Sequence, residues 1–177
     1  VALFRGINVG KAKRIAMADL RALLDKLGYT DVRTLLNSGN AVFTADAAAD
    51  REIAATIHAA VLKKLGVDTY VIVRSSKEIA AIVKGNALDK IATDASRLLV
   101  AMTDDAKVLA TVKALAGKPW GDERIHVGKY AAYLWCANGI LESKAAVALL
   151  GGLADVGTTR NWATLGKIHG LMKDGES

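Results

Sequence analysis

The feature that most constrains the fold is the segment Asn37-Ser38-Gly39-Asn40, which stands between two short apolar runs. Asn and Gly tolerate the positive φ angles that tight hairpin connections require. Residues 32–36 and 41–44 are therefore predicted to be two antiparallel strands joined by this four-residue turn.

A strand and a helix are predicted before the hairpin along the chain, and a helix and a strand after it. Apolar residues recur at helical spacing over 17–27 and 49–65, and Gly28 and Gly66 follow where C-terminal caps belong. Residues 1–4 and 69–73 are apolar or β-branched runs of strand length. The resulting order is β-α-β-β-α-β, the ferredoxin-like pattern.

The second half of the chain repeats this order without repeating the residues. After a linking helix from Ser75, strands are predicted over 97–102, 124–127, 131–135 and 156–158, with helices over 104–115, 142–150 and 161–172. The sequence thus predicts an α+β protein of two ferredoxin-like (βαββαβ) halves with antiparallel sheets, plus a C-terminal helix. We place the halves at residues 1–85 and 86–177.

Composition excludes several other classes of protein. The 177 residues contain one cysteine, Cys136, so no disulfide framework can form within the chain, and a reducing compartment is expected. No apolar run reaches the ~18 residues that a membrane helix needs, and alanine supplies much of the 52% hydrophobic content. We expect a cytoplasmic protein without a membrane partner.

Basic charge is concentrated near the start of the chain. The net charge is +6, and residues 5–14 hold four basic residues and no acid. Glycine-rich backbone can approach phosphate oxygens, and nearby cations add attraction. The spacing of Gly6 and Gly10 is not that of a Walker A loop, and Ala12 stands where Mg²⁺ would need a hydroxyl. The candidate anion ligands are Arg5, Asn8, Lys11, Lys13 and Arg14; the alternative is a solvated basic turn.

Topology predicts a second set of polar groups beside this loop. The first two strands of a β-α-β-β-α-β sheet run parallel, so the loop after the first strand and the hairpin lie at the same end. Asn37, Ser38 and Asn40 would then face the basic residues and could orient a phosphate, a carboxylate or a base. The alternative is that these residues serve turn geometry alone.

A third cluster, residues 158–162, precedes the final helix. Arg160 would lie at the positive end of that helix, where an anion would compensate it, and Asn161 would either cap the helix or join an anion site. Metal binding is not expected, because His58, His126 and His169 are far apart in sequence and none neighbours a cysteine pair. No cofactor motif and no catalytic dyad are visible, so whether the protein is an enzyme stays open.

Three motifs together resemble a bacterial family designated domain of unknown function 1697. They are Leu3-Phe4-Arg5-Gly6-Ile7-Asn8-Val9-Gly10, Leu36-Asn37-Ser38-Gly39-Asn40 and Thr158-Thr159-Arg160-Asn161-Trp162. The resemblance implies paired ferredoxin-like units and no established activity. Members often carry a second glycine where this chain has Lys11, so the loop is more basic here.

The sequence leads to one main hypothesis and two alternatives. The main hypothesis is a protein that binds an anionic ligand, with a nucleotide or nucleic-acid phosphate as the expected partner. The alternatives are a metal-independent enzyme acting on a phosphorylated substrate and a protein-interaction module.

Overall fold

A computed structural model describes residues 1–46 and 48–173. The chain forms two compact units: the first is Val1–Ser76 with the described chain from Lys167 onward, and the second is Lys77–Gly166. The predicted boundary between two subdomains at residues 85 and 86 stays a prediction.

The first unit is a four-stranded antiparallel sheet with two helices. Its strands follow the spatial order β2-β3-β1-β4, so that β1 pairs with both β3 and β4. The elements are β1 (Ala2–Phe4), α1 (Met17–Lys26), β2 (Thr30–Thr34), β3 (Asn40–Thr44), α2 (Asp50–Leu65) and β4 (Val71–Val73).

The apolar faces of α1 and α2 form one core with the sheet. Leu20 and Leu24 of α1 and Ile57 of α2 are fully buried, in one cluster with Phe4 and Ala41 of the strands. Helical spacing in the sequence produces this face, since residues three and four apart lie on the same side of a helix.

The second unit repeats the arrangement with the order β6-β7-β5-β8, again antiparallel throughout. Its core joins Val112 and Leu149 of the helices with Leu99, Ala101 and Leu134 of the strands. The elements are α3 (Ser76–Lys84), β5 (Leu98–Thr103), α4 (Ala106–Leu115), β6 (Arg124–Val127), β7 (Ala132–Trp135), α5 (Lys144–Gly152) and β8 (Gly157–Asn161). The C-terminal helix, α6 (Trp162–Lys173), begins in the second unit, and its residues from Lys167 onward belong to the first. The predicted fold of two ferredoxin-like halves with a C-terminal helix is confirmed.

Most predicted strands differ from the observed ones by one to three residues at an end, and in two of them the cause can be identified. The second strand was predicted over 32–36, but β2 is Thr30–Thr34, because Leu36 adopts a left-handed φ of 58° that ends extended pairing. The last strand was predicted over 156–158, but β8 extends to Asn161, because its residues stay paired with β5 as far as Leu99–Asn161. The final helix therefore begins at Trp162.

Candidate functional site

The loop between β1 and α1 and the hairpin between β2 and β3 are joined by the side chain of Asn8. Its Nδ2 donates to the carbonyl oxygens of Ile15 and Asn37, both at 2.8 Å, and its Oδ1 accepts from the Ile15 N–H at 2.9 Å. These bonds close the loop on itself and fasten it to the hairpin. The two sets of predicted site residues therefore lie at the same end of the sheet, as topology required.

Packing fastens the same two segments beneath these hydrogen bonds. Gly39 has a φ of 81°, and a Cβ there would lie 2.7 Å from Ile7 Cδ1 and 2.8 Å from Phe4 Cβ. Ile7 is only 1% exposed, and it packs against the backbone of Gly39, which has no side chain. The glycine is needed both for the turn and for the close approach of the loop.

A cavity of about 280 Å³ opens where the loop enters α1. Ala16 occupies the N-cap position and its side chain makes no capping hydrogen bond. The first N–H groups of a helix need an acceptor and carry partial positive charge, and alanine supplies no such acceptor. The cavity is lined by Asn8, Arg14, Ile15, Ala16, Met17 and Asn37.

Positive charge surrounds this cavity unevenly. Arg14 lines it and Lys11 and Lys13 do not, and all three side chains are exposed. Residues 5–18 contain no Asp or Glu, and Asp19 in the first turn of α1 is the first acid after them. Arg5 is half-buried, and its backbone is tied to the start of β4, since its N–H donates to Tyr70 O and its carbonyl accepts from Thr69 Oγ1.

Two of the predicted hairpin residues serve the turn itself. Asn40 is fully buried, and its Nδ2 donates to Leu35 O at 2.7 Å and to Ser38 Oγ at 3.2 Å. The side chains of Asn40 and Ser38 thus hold the hairpin closed. Asn37 is the hairpin residue that lines the cavity.

Arg160 and Asn161 belong to the second unit and are not among the residues that line the cavity. Arg160 lies within β8, opposite Val100, and not in a loop before the helix. Its Nη1 donates to Thr158 Oγ1 at 2.8 Å and to Thr159 O at 2.7 Å, and burial lowers its pKa to about 10. Asn161 Oδ1 accepts from the Thr164 N–H at 2.9 Å, which is the capping bond that the sequence allowed.

None of the described groups with a displaced pKa is among the residues that line this cavity. Burial raises the pKa of Tyr133 to about 12 and raises the pKa of the Cys136 thiol. Both residues are in the second unit. Across 1–46 and 48–173, no three His, Cys, Asp or Glu side chains cluster so that they could hold a metal ion. The described helices include none long and apolar enough to cross a membrane.

A larger cavity, of about 340 Å³, opens at the other end of the same sheet, where β1 begins and β3 and β4 end. Its lining includes Arg33 and Arg74 but also Asp31, Asp46 and Asp50. Carboxylates outnumber guanidinium groups here, so this cavity suits an anion less well than the smaller one.

Sequence reasoning identified the basic loop but missed the start of α1 as part of the site. The signal was present, because no Ser, Thr, Asp or Asn stands at positions 15 or 16, before the apolar periodicity begins. A helix without a capping side chain leaves its N–H groups available to a bound anion.

The fold and the site define a class of protein: paired ferredoxin-like units with a basic, glycine-bounded loop beside a polar hairpin. The chain belongs to the family described as "Protein of unknown function (DUF1697)", whose model matches residues 1–133. The chain is also similar to a solved structure, that of the conserved bacterial protein SP0830 from Streptococcus pneumoniae. The two are 22% identical, the match covers 97% of this chain and 96% of that one, and the TM-score is 0.75, which shows a shared fold. No curated protein matches the chain.

Proposed function

We propose that the protein binds an anionic ligand through a phosphate group held in the cavity at the start of α1. The observation that carries the proposal is the conjunction of an N-cap alanine without a capping bond and the cavity-lining Arg14. A phosphate there would accept hydrogen bonds from the first N–H groups of the helix and from the guanidinium group. Asn37, which also lines the cavity, supplies a further polar group.

The expected affinity for a single phosphate is weak. A helix N-terminus contributes about 0.3–2 kcal/mol to anion binding, and a charge-assisted hydrogen bond contributes about 1.5–3 kcal/mol. Their sum corresponds to a Kd on the order of millimolar or weaker. A phosphate group alone is therefore an anchor, and a physiological ligand must make further contacts.

The two alternative functions have less support. An enzyme would need a titratable group of suitable pKa at the cavity, and the described groups with displaced pKa values are elsewhere. An interaction module is supported by one observation: Leu141 and Val147 of the second unit are 95% and 70% exposed. Isolated exposed aliphatic residues are common on soluble proteins, so this observation is weak.

The test is thermal unfolding with inorganic phosphate. At ten times the Kd, ligand binding stabilises the native state by about 1.4 kcal/mol, which raises Tm by roughly 3–6 °C for a chain of this size. Arg14→Gln should remove most of this rise. Asp19→Asn, which removes the acid nearest to the helix start, should lower the phosphate concentration required.

The matched control is Lys26→Gln, which removes an exposed cation in the last turn of α1, at the opposite end of that helix from the cavity. It should leave the phosphate-dependent rise in Tm unchanged. Nonspecific salt effects act equally on all variants, so an equal rise in Arg14→Gln and in the unsubstituted protein would refute the site.

A further inference from the structure

We propose, building on the proposed function, that the ligand is the sugar-phosphate backbone of a nucleic-acid duplex. One phosphate would occupy the cavity, and neighbouring phosphates would lie against Lys11 and Lys13. The first reason is that the loop carries two cations besides the one that lines the cavity. Arg14 lines the cavity, whereas Lys11 and Lys13 are exposed outside its lining. These two lysines can engage only charge that extends beyond the bound group.

The loop presents these lysines from a fixed backbone. The Asn8 N–H donates to Lys13 O at 3.0 Å, and the Asn8 side chain holds both backbone groups of Ile15. Lys13 has a φ of 52°, a left-handed conformation that the surrounding bonds maintain. A fixed loop loses little conformational entropy when an extended ligand binds.

The outer side of the loop is bare backbone. Gly6 and Gly10 have φ values of 62° and 64°, and a Cβ at either position would meet no atom within 4 Å. A bulky polyanion can therefore approach the loop closely from solvent. No acid between residues 5 and 18 would repel it.

The chemistry of the loop favours a duplex over other polyphosphates. Nucleoside triphosphates are usually bound with Mg²⁺, which needs carboxylate or hydroxyl ligands. Residues 5–18 and the cavity lining supply no carboxylate and no hydroxyl, and the Ser38 hydroxyl of the hairpin accepts a hydrogen bond from Asn40. Single strands are typically held by stacking on aromatic rings, and neither residues 5–16 nor 35–40 contain one. What remains is binding to backbone phosphates without base readout.

The experiment measures binding of the full chain to a fluorescein-labelled duplex of ~20 base pairs by anisotropy over a range of salt concentrations. Three phosphate contacts predict a slope of log K against log[salt] of about −2.7. The double variant Lys11→Gln/Lys13→Gln should reduce the magnitude of the slope by about 1.8. Its affinity should fall on the order of a hundredfold at roughly 50 mM salt. The control Lys107→Gln/Lys113→Gln removes two exposed lysines of α4, in the second unit, and should change neither value.

Thermal unfolding with inorganic phosphate separates this proposal from the proposed function. The Lys11→Gln/Lys13→Gln variant should keep the phosphate-dependent rise in Tm, which also shows that it is folded. If phosphate stabilises the protein but the duplex does not bind, the duplex proposal is wrong and the anion site stands. Tighter binding of a single strand, displacement of the duplex by micromolar Mg²⁺-nucleotide, or an equal loss in the control would also overturn the proposal.

Discussion

Gly39 is the residue at which the hairpin and the first loop are in closest contact. Its positive φ could be predicted from the sequence, because a four-residue connection rich in Asn and Gly requires such a conformation. The contact with Ile7 could not be predicted, since it depends on how a loop 32 residues earlier in the chain folds over the turn. The same holds for Asn8, whose side chain bonds to Asn37.

Substitution Gly39→Ala is expected to destabilise the protein by about 2–5 kcal/mol. The left-handed φ costs about 1–2 kcal/mol for an alanine, and the clash of Cβ with Ile7 and Phe4 adds a further overpacking cost of about 1–3 kcal/mol. The measurement is urea unfolding at neutral pH. Gly66→Ala is the matched control, because Gly66 has a φ of 68° but open space around it, and should cost only about 1 kcal/mol. Equal losses in the two variants would show that the contact with Ile7 contributes nothing.

Individual elements were predictable as far as local patterns determine them. Both helices of the first unit follow from their apolar spacing and their following glycines. The end of β8 was not predictable, because the pairing of Arg160 with Val100 depends on a strand 60 residues earlier. Arg160 was therefore expected at the positive end of the final helix as a ligand for an anion, whereas its guanidinium group is buried among the threonines of its own strand.

The hydrogen bond between Tyr133 of β7 and Ile82 of α3 leads to a prediction about the pH dependence of stability. Tyr133 is 1% exposed and donates its hydroxyl proton to Ile82 O at 2.6 Å. Tyr133→Phe leaves that carbonyl without this donor and should cost about 1–3 kcal/mol near pH 8. Because burial raises the pKa of Tyr133 from 10.0 to about 12, its neutral form stabilises the folded state. This contribution is complete below pH 10 and is lost as the pH rises towards 12.

Unfolding of both proteins in urea between pH 8 and 11.5 measures the effect. The stability advantage of the unsubstituted protein over Tyr133→Phe should be constant up to about pH 10. It should then fall by up to about 1.4 kcal/mol per pH unit, because only the unfolded tyrosine ionises. An advantage that stays constant up to pH 11.5 would contradict the assigned burial of the hydroxyl.

At the scale of the molecule, the order of elements determined the architecture. The two predicted β-α-β-β-α-β patterns correspond to two antiparallel sheets with the same spatial order of strands. The arrangement of the site was only partly predictable. Topology brings the basic loop and the hairpin to the same end of one sheet, but the cavity at the start of α1 depends on side chains such as Asn8 that join them.

The most direct test of the anion site is a titration of ¹⁵N-labelled protein with inorganic phosphate, followed by amide chemical shifts. The chemical shifts of the backbone amides of Met17 and Ala18, at the start of α1, should change most and should saturate with one Kd on the order of millimolar. The same amides should not shift in Arg14→Gln. Unchanged amide chemical shifts at the start of α1, or the largest changes around the second cavity at Arg33, would contradict the proposed anion site.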